Sequence, residues 1–460
     1  MQVTTASSWR HSKRYIVVAM VFVGYMIFFA VHANVGMAVV EMTSPKTSPG
    51  PNGTSIITDG PEYSWDSVQK ALVISSLSYG RMLSPIGVTF AARIGGSTLY
   101  LWGIVCVAVI TYCTPYLLYL HFYSFLLGNA LTGFCEGMAY ASVIEIWSRW
   151  APPNERAKMA SIGDMGVYAG LMSSFMVSGW ILYEMGWATL FHITGIATLF
   201  WAGIWYVLVK NDPADAEWIT DDEKKYIKEQ MKTVVDDQKK LVYPWKDLLT
   251  CVPFWLACMV KFAYGVGFAF MMMNLPQYIK DMNDIDIKKI GYISTIPQIC
   301  ALIAMPFAGY IFDYMRSNEI LSLTNVHKLY ACIGLISGVV TFLVAGLWPN
   351  FIASVVCLSL FQVCVSCTVL ENQIVMLDLA PRYAAFMVSI ASSCYTVALI
   401  LTPMIVGYTV TSHSRSQWNI CFMIFGILFV STSLICLKFL KVKLQRWANY
   451  SPDESNEQKT

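Results

Sequence analysis

Five ionisable side chains lie deep within long apolar runs of this 460-residue chain. They are His32, Arg81, Glu136, Asp164 and Lys261. The hydrocarbon core of a bilayer is about 30 Å thick, and a charge inside it is costly unless it faces the protein interior or water. Such residues usually mark the path of a substrate or an ion. The sequence therefore predicts a transport pathway if these apolar runs cross a membrane.

The composition indicates a membrane protein. Hydrophobic residues make up 56% of the chain and charged residues 13%, whereas a soluble domain carries roughly 25% charged residues. The net charge of +2 gives no field that would attract nucleic acid. The thirteen cysteines lie mostly within apolar runs, so we expect them to pack in the core, with neither a metal site nor a disulfide framework.

Apolar runs long enough to span a bilayer number about twelve, at about 20 residues per helix. They lie at 16–40, 69–92, 98–119, 122–147, 157–182, 187–210, 253–276, 290–313, 327–347, 351–376, 384–409 and 417–440. The first run is too long for the core of a signal peptide, and no small-residue cleavage site follows it. We interpret it as the first spanning helix of an all-α membrane protein.

A polar stretch at 211–250 divides the chain into two six-helix halves. We expect a first half at 16–210 and a second half at 251–440. Short polar segments at 1–15 and 441–460 form the termini. Within the linker, Thr220 and Glu223 have the spacing of a capping box, which predicts a short amphipathic helix whose Glu223 reaches back to the Thr220 amide.

Basic residues predict the orientation, since they favour the cytoplasmic side of a membrane. With twelve spans, one side receives Arg10, Lys13, Arg14, Arg149, Arg156, Lys158, Lys224, Lys225, Lys228, Lys239, Lys240, Lys438, Lys441, Lys443 and Arg446. Both termini are then cytoplasmic, although Lys280, Lys288 and Lys289 fall on the other side. The outer loop 43–68 contains the sequon Asn52-Gly53-Thr54, which predicts glycosylation at Asn52.

A weak internal repeat supports the division into halves. A glycine is followed by a basic residue in a short turn at two corresponding places. These are Gly87 to Gly96, after the second span, and Gly309 to Arg316, after the eighth. Two six-helix halves with this turn in corresponding places resemble the major facilitator superfamily. The resemblance implies a substrate site between the halves near the midplane, alternating access by rocking, and gating or structural roles for Arg93, Asp313 and Arg316.

Three longer motifs narrow the resemblance. The run WSRWAPPNER, from Trp147 to Arg156, is similar to the W-x-x-W-A-P-P-x-E-R turn of the anion:cation symporter family. The runs LDLAPRYA (377–384) and LPQYIK (275–280) resemble two further motifs of that family. This resemblance implies secondary transport of an anion, often coupled to protons or sodium, and gating or structural roles for Arg156 and Arg382.

The chain departs from that family at the positions that carry charge. His32 stands where the family usually has Arg. The fourth helix of the family often carries one Arg and two Glu. Here Asn129 replaces the Arg, Thr132 replaces the first Glu, and Glu136 retains the second. Arg81 stands where the family more often has Tyr. The predicted substrate-binding residues are Tyr25, His32, Arg81, Asn129, Lys261 and Tyr264. Glu136, together with His32, is predicted to couple protons.

Each of these residues also has a simpler interpretation. Arg81 either supplies the charge that binds the anion or pairs with Glu136 or Asp164, and Glu136 either releases a proton or stays in a structural ion pair. Lys261 either binds the anion or extends to the interface. His32 is either a pH-sensitive contact or a packing residue, and Asp164 is expected in a structural pair.

The sequence predicts a secondary transporter for a small organic anion in a plasma, vesicular or lysosomal membrane. Its partners would be the anion, a coupling proton or sodium ion, and lipid. Two alternatives remain: a transporter of phosphate or of a neutral or zwitterionic solute, and a sensor or scaffold on the same fold that no longer transports. We find no nucleophile–base pair, phosphate loop or metal cluster, so no enzyme activity, cofactor or metal is expected.

Overall fold

The computed structural model describes residues 13–49, 55–83, 85–235, 245–283, 285–346, 351–380, 383–445 and 447. Within these ranges the chain forms helices and one small β-hairpin. The first predicted half contains α1 (Tyr15–Thr43), α2 (Ser67–Arg81), α3 (Pro85–Ile94), α4 (Gly96–Leu120), α5 (Phe122–Trp150) and α6 (Pro153–Leu208). The predicted second span therefore consists of α2 and α3, with a break after Arg81.

Helix α6 contains two predicted spans, 157–182 and 187–210. The chain turns between them at Gly186, whose φ of 78° and ψ of 171° are not helical. A positive φ is readily adopted by glycine because it has no Cβ. Gly186 therefore allows a near-continuous hydrogen-bonded helix to change direction.

The linker contains α7 (Asp221–Val235) and α8 (Trp245–Thr250). The second predicted half contains α9 (Val252–Ala269), α10 (Leu275–Met282), α11 (Ile287–Ser317), α12 (Leu323–Gly346), α13 (Phe351–Leu379), α14 (Ala384–Thr409) and α15 (Arg415–Phe439). A π-helical turn, Phe270–Asn274, joins α9 to α10, and these three elements together form the predicted seventh span.

Eight helices of the described chain are long and apolar enough to cross a membrane. One of them is the 51-residue stretch Lys158–Leu208 of α6, which has the length of two spans. The loop after α1 holds an antiparallel hairpin of β1 (Lys46–Pro49) and β2 (Ser55–Asp59), which was not predicted. Asn52, the predicted glycosylation site, lies outside the described residues.

The chain packs as two compact units that do not coincide with the predicted halves. Unit 1 comprises residues 1–29, 79–170 and 191–240, and unit 2 comprises 30–78, 171–190 and 241–460. In unit 1, a Cβ on Gly166 or Gly170 would overlap the α1 carbonyls of Phe22 or Met26. These glycines therefore permit the close helix approach that small residues allow in membranes. The predicted domain boundaries remain predictions.

Unit 2 joins helix ends of the first predicted half to helices of the second. Gly36 of α1 would place a Cβ 2.9 Å from the Met273 carbonyl oxygen. The backbones of α6 and α11 also meet at glycines, since a Cβ on Gly179 would lie 3.0 Å from the Gly291 Cα. Backbones approach this closely because neither residue carries a side chain.

The capping-box prediction is wrong in its partner. Both carboxylate oxygens of Glu223 accept from the start of the chain, from the Lys13 amide at 3.0 Å and the Arg14 amide at 3.1 Å. Arg14 in turn donates twice to Glu155, at 2.8 and 3.0 Å. The first amides of a helix have no partner within the helix. The Glu223 carboxylate accepts from those at the start of α1 instead of from the Thr220 amide of its own helix. Glu223 thus attaches α7 to the N-terminal end of α1.

Candidate functional site

Arg81 is placed by a break in a helix and by a glycine. It is the last residue of α2, where free carbonyl groups favour a cation. The preceding residue, Gly80, lies against α5 so closely that a Cβ there would overlap the Ala130 carbonyl oxygen and the Phe134 amide nitrogen. Because the two backbones nearly touch, the side chain of Arg81 is directed into the space beside α5.

Arg81 forms a buried ion pair with Glu136. Its Nη1 lies 2.7 Å from Glu136 Oε1, and the two side chains are 6% and 1% exposed. The guanidinium also lies over two rings, 5.2 Å from the centroid of Phe29 and 4.9 Å from that of Tyr140. A guanidinium is suited to this position because it stacks on aromatic faces and still presents donors to a carboxylate.

Tyr25 completes the wall of this group. Its ring stacks on Tyr140 at 4.9 Å. Asp164 acts electrostatically on both tyrosines. We call Tyr25, Phe29, Arg81, Glu136 and Tyr140 the arginine cluster. It combines a fixed cation, one carboxylate and aromatic walls in unit 1.

Asn129 and Thr132 lie on the same side of α5 as Glu136, and all three are buried. Thr132 donates to the Gly128 carbonyl oxygen of its own helix at 3.0 Å. The Asn129 Nδ2 has no hydrogen-bond partner within the described part of the chain. Asn129 is about 10 Å from Glu136 along the axis, at 1.5 Å per residue, so it offers a second polar contact on this helix.

Lys261 belongs to a second group. Its Nζ lies 5.6 Å from the ring centroid of Tyr264 and 5.8 Å from that of Tyr395. The two tyrosine rings stack at 5.7 Å, and Phe268 packs against both. We call Lys261, Tyr264, Phe268 and Tyr395 the lysine cluster. It presents an ammonium group held over aromatic faces from α9 and α14 of unit 2.

The predicted site residues thus fall into two sets. Tyr25, Arg81, Asn129 and Glu136 lie in unit 1, and Lys261 and Tyr264 lie in unit 2. His32 is also in unit 2, where it is 2% exposed in the middle of α1. Each unit therefore contains a cation flanked by tyrosine, buried for Arg81 and partly exposed for Lys261, which suits binding of an anion with an apolar part.

Residues 15–326 and 285–457 match the family model of the Major Facilitator Superfamily. The chain belongs to the Major Facilitator Superfamily. It is therefore a transporter of the membrane and not an enzyme. The superfamily fold, with two helical halves, is that predicted from the sequence.

Similar proteins agree with this assignment. Vesicular glutamate transporter 2 of Homo sapiens is 27% identical over 451 residues, which cover 97% of this chain and 77% of that protein. Vesicular glutamate transporter 1 of Xenopus tropicalis is 26% identical, with 97% and 78% covered. These similarities confirm the resemblance to the anion:cation symporter family.

Solved structures show the same fold. The inward open xylose transporter XylE from E. coli superposes with a TM-score of 0.70 at 12% identity, covering 94% of this chain and 98% of that one. A bacterial homolog of the human lysosomal transporter Spinster, in an inward-facing state, gives 0.69 at 13% identity, covering 95% and 99%.

The predicted superfamily turns are described only in part. Arg316 donates to Asp378 at 2.8 Å, and the buried His327 lies 3.1 Å from the other oxygen of that carboxylate. Arg93 ends α3 with its side chain exposed. The side chains of Asp313 and Arg156, and the whole of Arg382, lie outside what the structure describes.

Sequence reasoning missed four residues that shape the two clusters. Gly80, Phe29 and Tyr140 set the position of Arg81, and Tyr395 covers Lys261. Phe29 and Tyr140 each lie four residues from a predicted site residue, Tyr25 and Glu136, so helical spacing could have placed them on the same faces. No comparable local signal identifies Gly80 or Tyr395.

Proposed function

We propose that this protein is a secondary transporter that moves a small organic anion together with a proton. The observation that carries the proposal is the buried pair of Arg81 and Glu136 at 2.7 Å. The similarity to vesicular glutamate transporters supports an organic anion as the cargo. L-Glutamate and related carboxylates are the first candidates.

The pair supplies a mechanism of coupling. While Glu136 is ionised, it occupies the guanidinium of Arg81, and breaking a buried pair by removing one partner costs about 3–5 kcal/mol. Protonation of Glu136 removes that competition and leaves Arg81 with donors for another carboxylate. A substrate carboxylate then takes the place of Glu136, so that anion and proton are bound together.

The lysine cluster provides a second cation for the same class of cargo. Lys261 is partly exposed between two tyrosine rings, where an incoming carboxylate would make a charge-assisted hydrogen bond. We assign it to substrate binding, with Tyr264 and Tyr395 beside it. His32 and Asn129 remain candidate contacts.

The pairing of Arg81 also favours a second candidate cargo. The charges of Glu136 and Arg81 offset each other within this pair. A zwitterionic or neutral solute suits such a site without any change of protonation. Uptake of that solute would be insensitive to a proton gradient, which separates the two candidates.

Uptake into proteoliposomes tests the proposal. Labelled L-glutamate, other carboxylates and phosphate are supplied with and without an inward proton gradient. We expect stimulation by the gradient in the wild type and loss of uptake in Arg81→Ala. Glu136→Gln, which resembles the protonated acid, should keep exchange of the anion but lose the stimulation.

Arg149→Ala is the matched control, because Arg149 forms a half-exposed i,i+4 pair with Glu145 in the same half. Such pairs contribute about 0.3–0.5 kcal/mol, so uptake should be unchanged. Gradient-driven uptake that survives in Arg81→Ala would refute the role of the arginine cluster. Binding without uptake of any solute would favour a sensor on the same fold.

We also propose that both termini are cytoplasmic and that loop 43–68 faces the opposite compartment. The distribution of basic residues supports this orientation. The similarity to vesicular transporters favours a vesicular or lysosomal membrane over the plasma membrane.

A further inference from the structure

A buried carboxylate ties several helix ends together on the side of unit 2 that bears loop 43–68. Asp281 is near the end of α10, and its side chain is 6% exposed. Gln277 Nε2 donates to its Oδ1 at 2.6 Å, and Trp418 Nε1 of α15 donates to its Oδ2 at 3.0 Å. His413 Nδ1 lies 2.8 Å from the same Oδ2.

His413 is held towards Asp281 by its backbone and remains open to water. It lies between α14 and α15 with a φ of 53°, in the left-handed region that histidine and asparagine adopt more often than most residues. Its side chain is 36% exposed. Because an ionised carboxylate only accepts, Nδ1 carries the hydrogen in both the neutral and the charged ring, and protonation occurs at Nε2.

A lysine from the first half of the chain lies near this group. Lys70 of α2 is within electrostatic range of Asp281, with no hydrogen bond or ion pair between the two among the described contacts. It lines a small cavity of about 30 Å³ together with Gln277, His413 and Trp418. Helix α2 meets α14 at this cavity, where a Cβ on Gly407 would lie 2.7 Å from the Ser67 carbonyl oxygen.

We propose that His413 and Asp281 form a proton-binding site that controls the contact between α2 and the second half of the chain. With His413 neutral, the charge of Asp281 attracts Lys70 and holds α2 against α14. With His413 protonated, its charge-assisted hydrogen bond takes up the Asp281 charge within the second half. Lys70 is then repelled by the imidazolium, and the contact loosens.

The neighbouring titratable groups do not reverse the direction of this effect, in which protonation of His413 loosens the contact of α2. Arg415, at the start of α15, stays cationic throughout, and Tyr278 of α10, which packs on Trp418, stays neutral near pH 6. Acid on the side of loop 43–68 should therefore open that side of unit 2. This site is separate from Glu136 and requires no substrate. Its test is therefore independent of the proposed cargo.

A distance measurement tests the proposal. Spin labels are attached to Ser64→Cys, before α2, and Ser416→Cys, in α15, in a full-length chain whose native cysteines are replaced by serine. Pulsed electron spin resonance gives the distance between the labels. The pH is lowered from about 7.5 to about 5.5, across the ordinary histidine pKa of about 6.5. Size-exclusion chromatography establishes that each variant is folded.

We expect the long-distance population to grow several-fold at the lower pH in the otherwise unaltered chain. His413→Asn, which tolerates the left-handed backbone but cannot become charged, should stay at the short distance. Lys70→Gln should show the long distance at both pH values. His121→Asn is the control, since the His121 side chain is exposed and its ring accepts a hydrogen bond from the Tyr123 amide, far from Asp281 in the chain. This variant should respond like the parent.

A pH response that persists in His413→Asn would overturn the proposal. A parent chain with no pH response would also overturn it. So would a Lys70→Gln chain that shows the short label distance at the higher pH and lengthens at the lower pH as the parent does.

Discussion

At the scale of single residues, the buried pair of Arg81 and Glu136, at 2.7 Å, carries the proposed chemistry. Charges within apolar runs indicated Arg81, Glu136 and Lys261 because the cost of burying charge makes such residues rare. The pairing of Arg81 with Glu136 depends on two residues 55 positions apart, and the sequence left it open against Asp164. Asp281 and His413 gave no signal, since both lie near helix ends where charge is common.

Lys261→Gln should weaken binding of the anion without unfolding the protein. A hydrogen bond to a charged group is worth about 1.5–3 kcal/mol, so we expect KM for uptake to rise roughly tenfold to a hundredfold. Lys261→Arg should retain most of the affinity, because guanidinium also stacks on tyrosine. KM is measured in proteoliposomes without a proton gradient.

Lys288→Gln is the matched control for that substitution. Lys288 likewise lies over a tyrosine, 5.4 Å from the ring centroid of Tyr183, but it pairs with an exposed Glu184 at 3.6 Å. Its KM should equal that of the wild type. An unchanged KM in Lys261→Gln would remove Lys261 from the binding site.

At the scale of elements, apolar length predicted the spans but not their interruptions. The helices begin and end within a few residues of the predicted spans. This agreement is expected because the thickness of the bilayer sets the length of a hydrophobic run. The break after Arg81, the π-helical turn in the seventh span and the partner of Glu223 were not predicted. Each depends on contacts with another element, which local patterns do not record.

Gly80→Ala should displace Arg81 from Glu136. The added Cβ meets backbone atoms of α5, which cannot rotate away, and such overpacking costs about 1–3 kcal/mol. We expect a lower Tm in detergent and the loss of gradient-driven uptake. Gly203→Ala is the control, since nothing lies within 4 Å of its added Cβ; its Tm should be equal or higher. Wild-type uptake in Gly80→Ala would show that this close approach is not required.

At the scale of the whole molecule, the family and its fold followed from motifs and from the number of spans. The two compact units could not be predicted in this way, because their boundaries fall within α1, α2 and α6. Such a division depends on which helix ends pack together, and hydrophobic patterns are the same at both ends of a span. The proposed linkage of protons to anions would likewise be a property of the assembled molecule, since it requires α2 and α5 to meet.

Proton uptake when the anion binds distinguishes replacement of Glu136 at Arg81 from binding elsewhere. Purified protein in weakly buffered detergent solution is mixed with the best-transported anion, and a pH-indicator dye records protons taken up or released. If the anion replaces Glu136 at Arg81, binding should take up protons in the wild type and none in Glu136→Gln, which should still bind. Anion binding without proton uptake in the wild type, or with equal uptake in Glu136→Gln, would contradict the account.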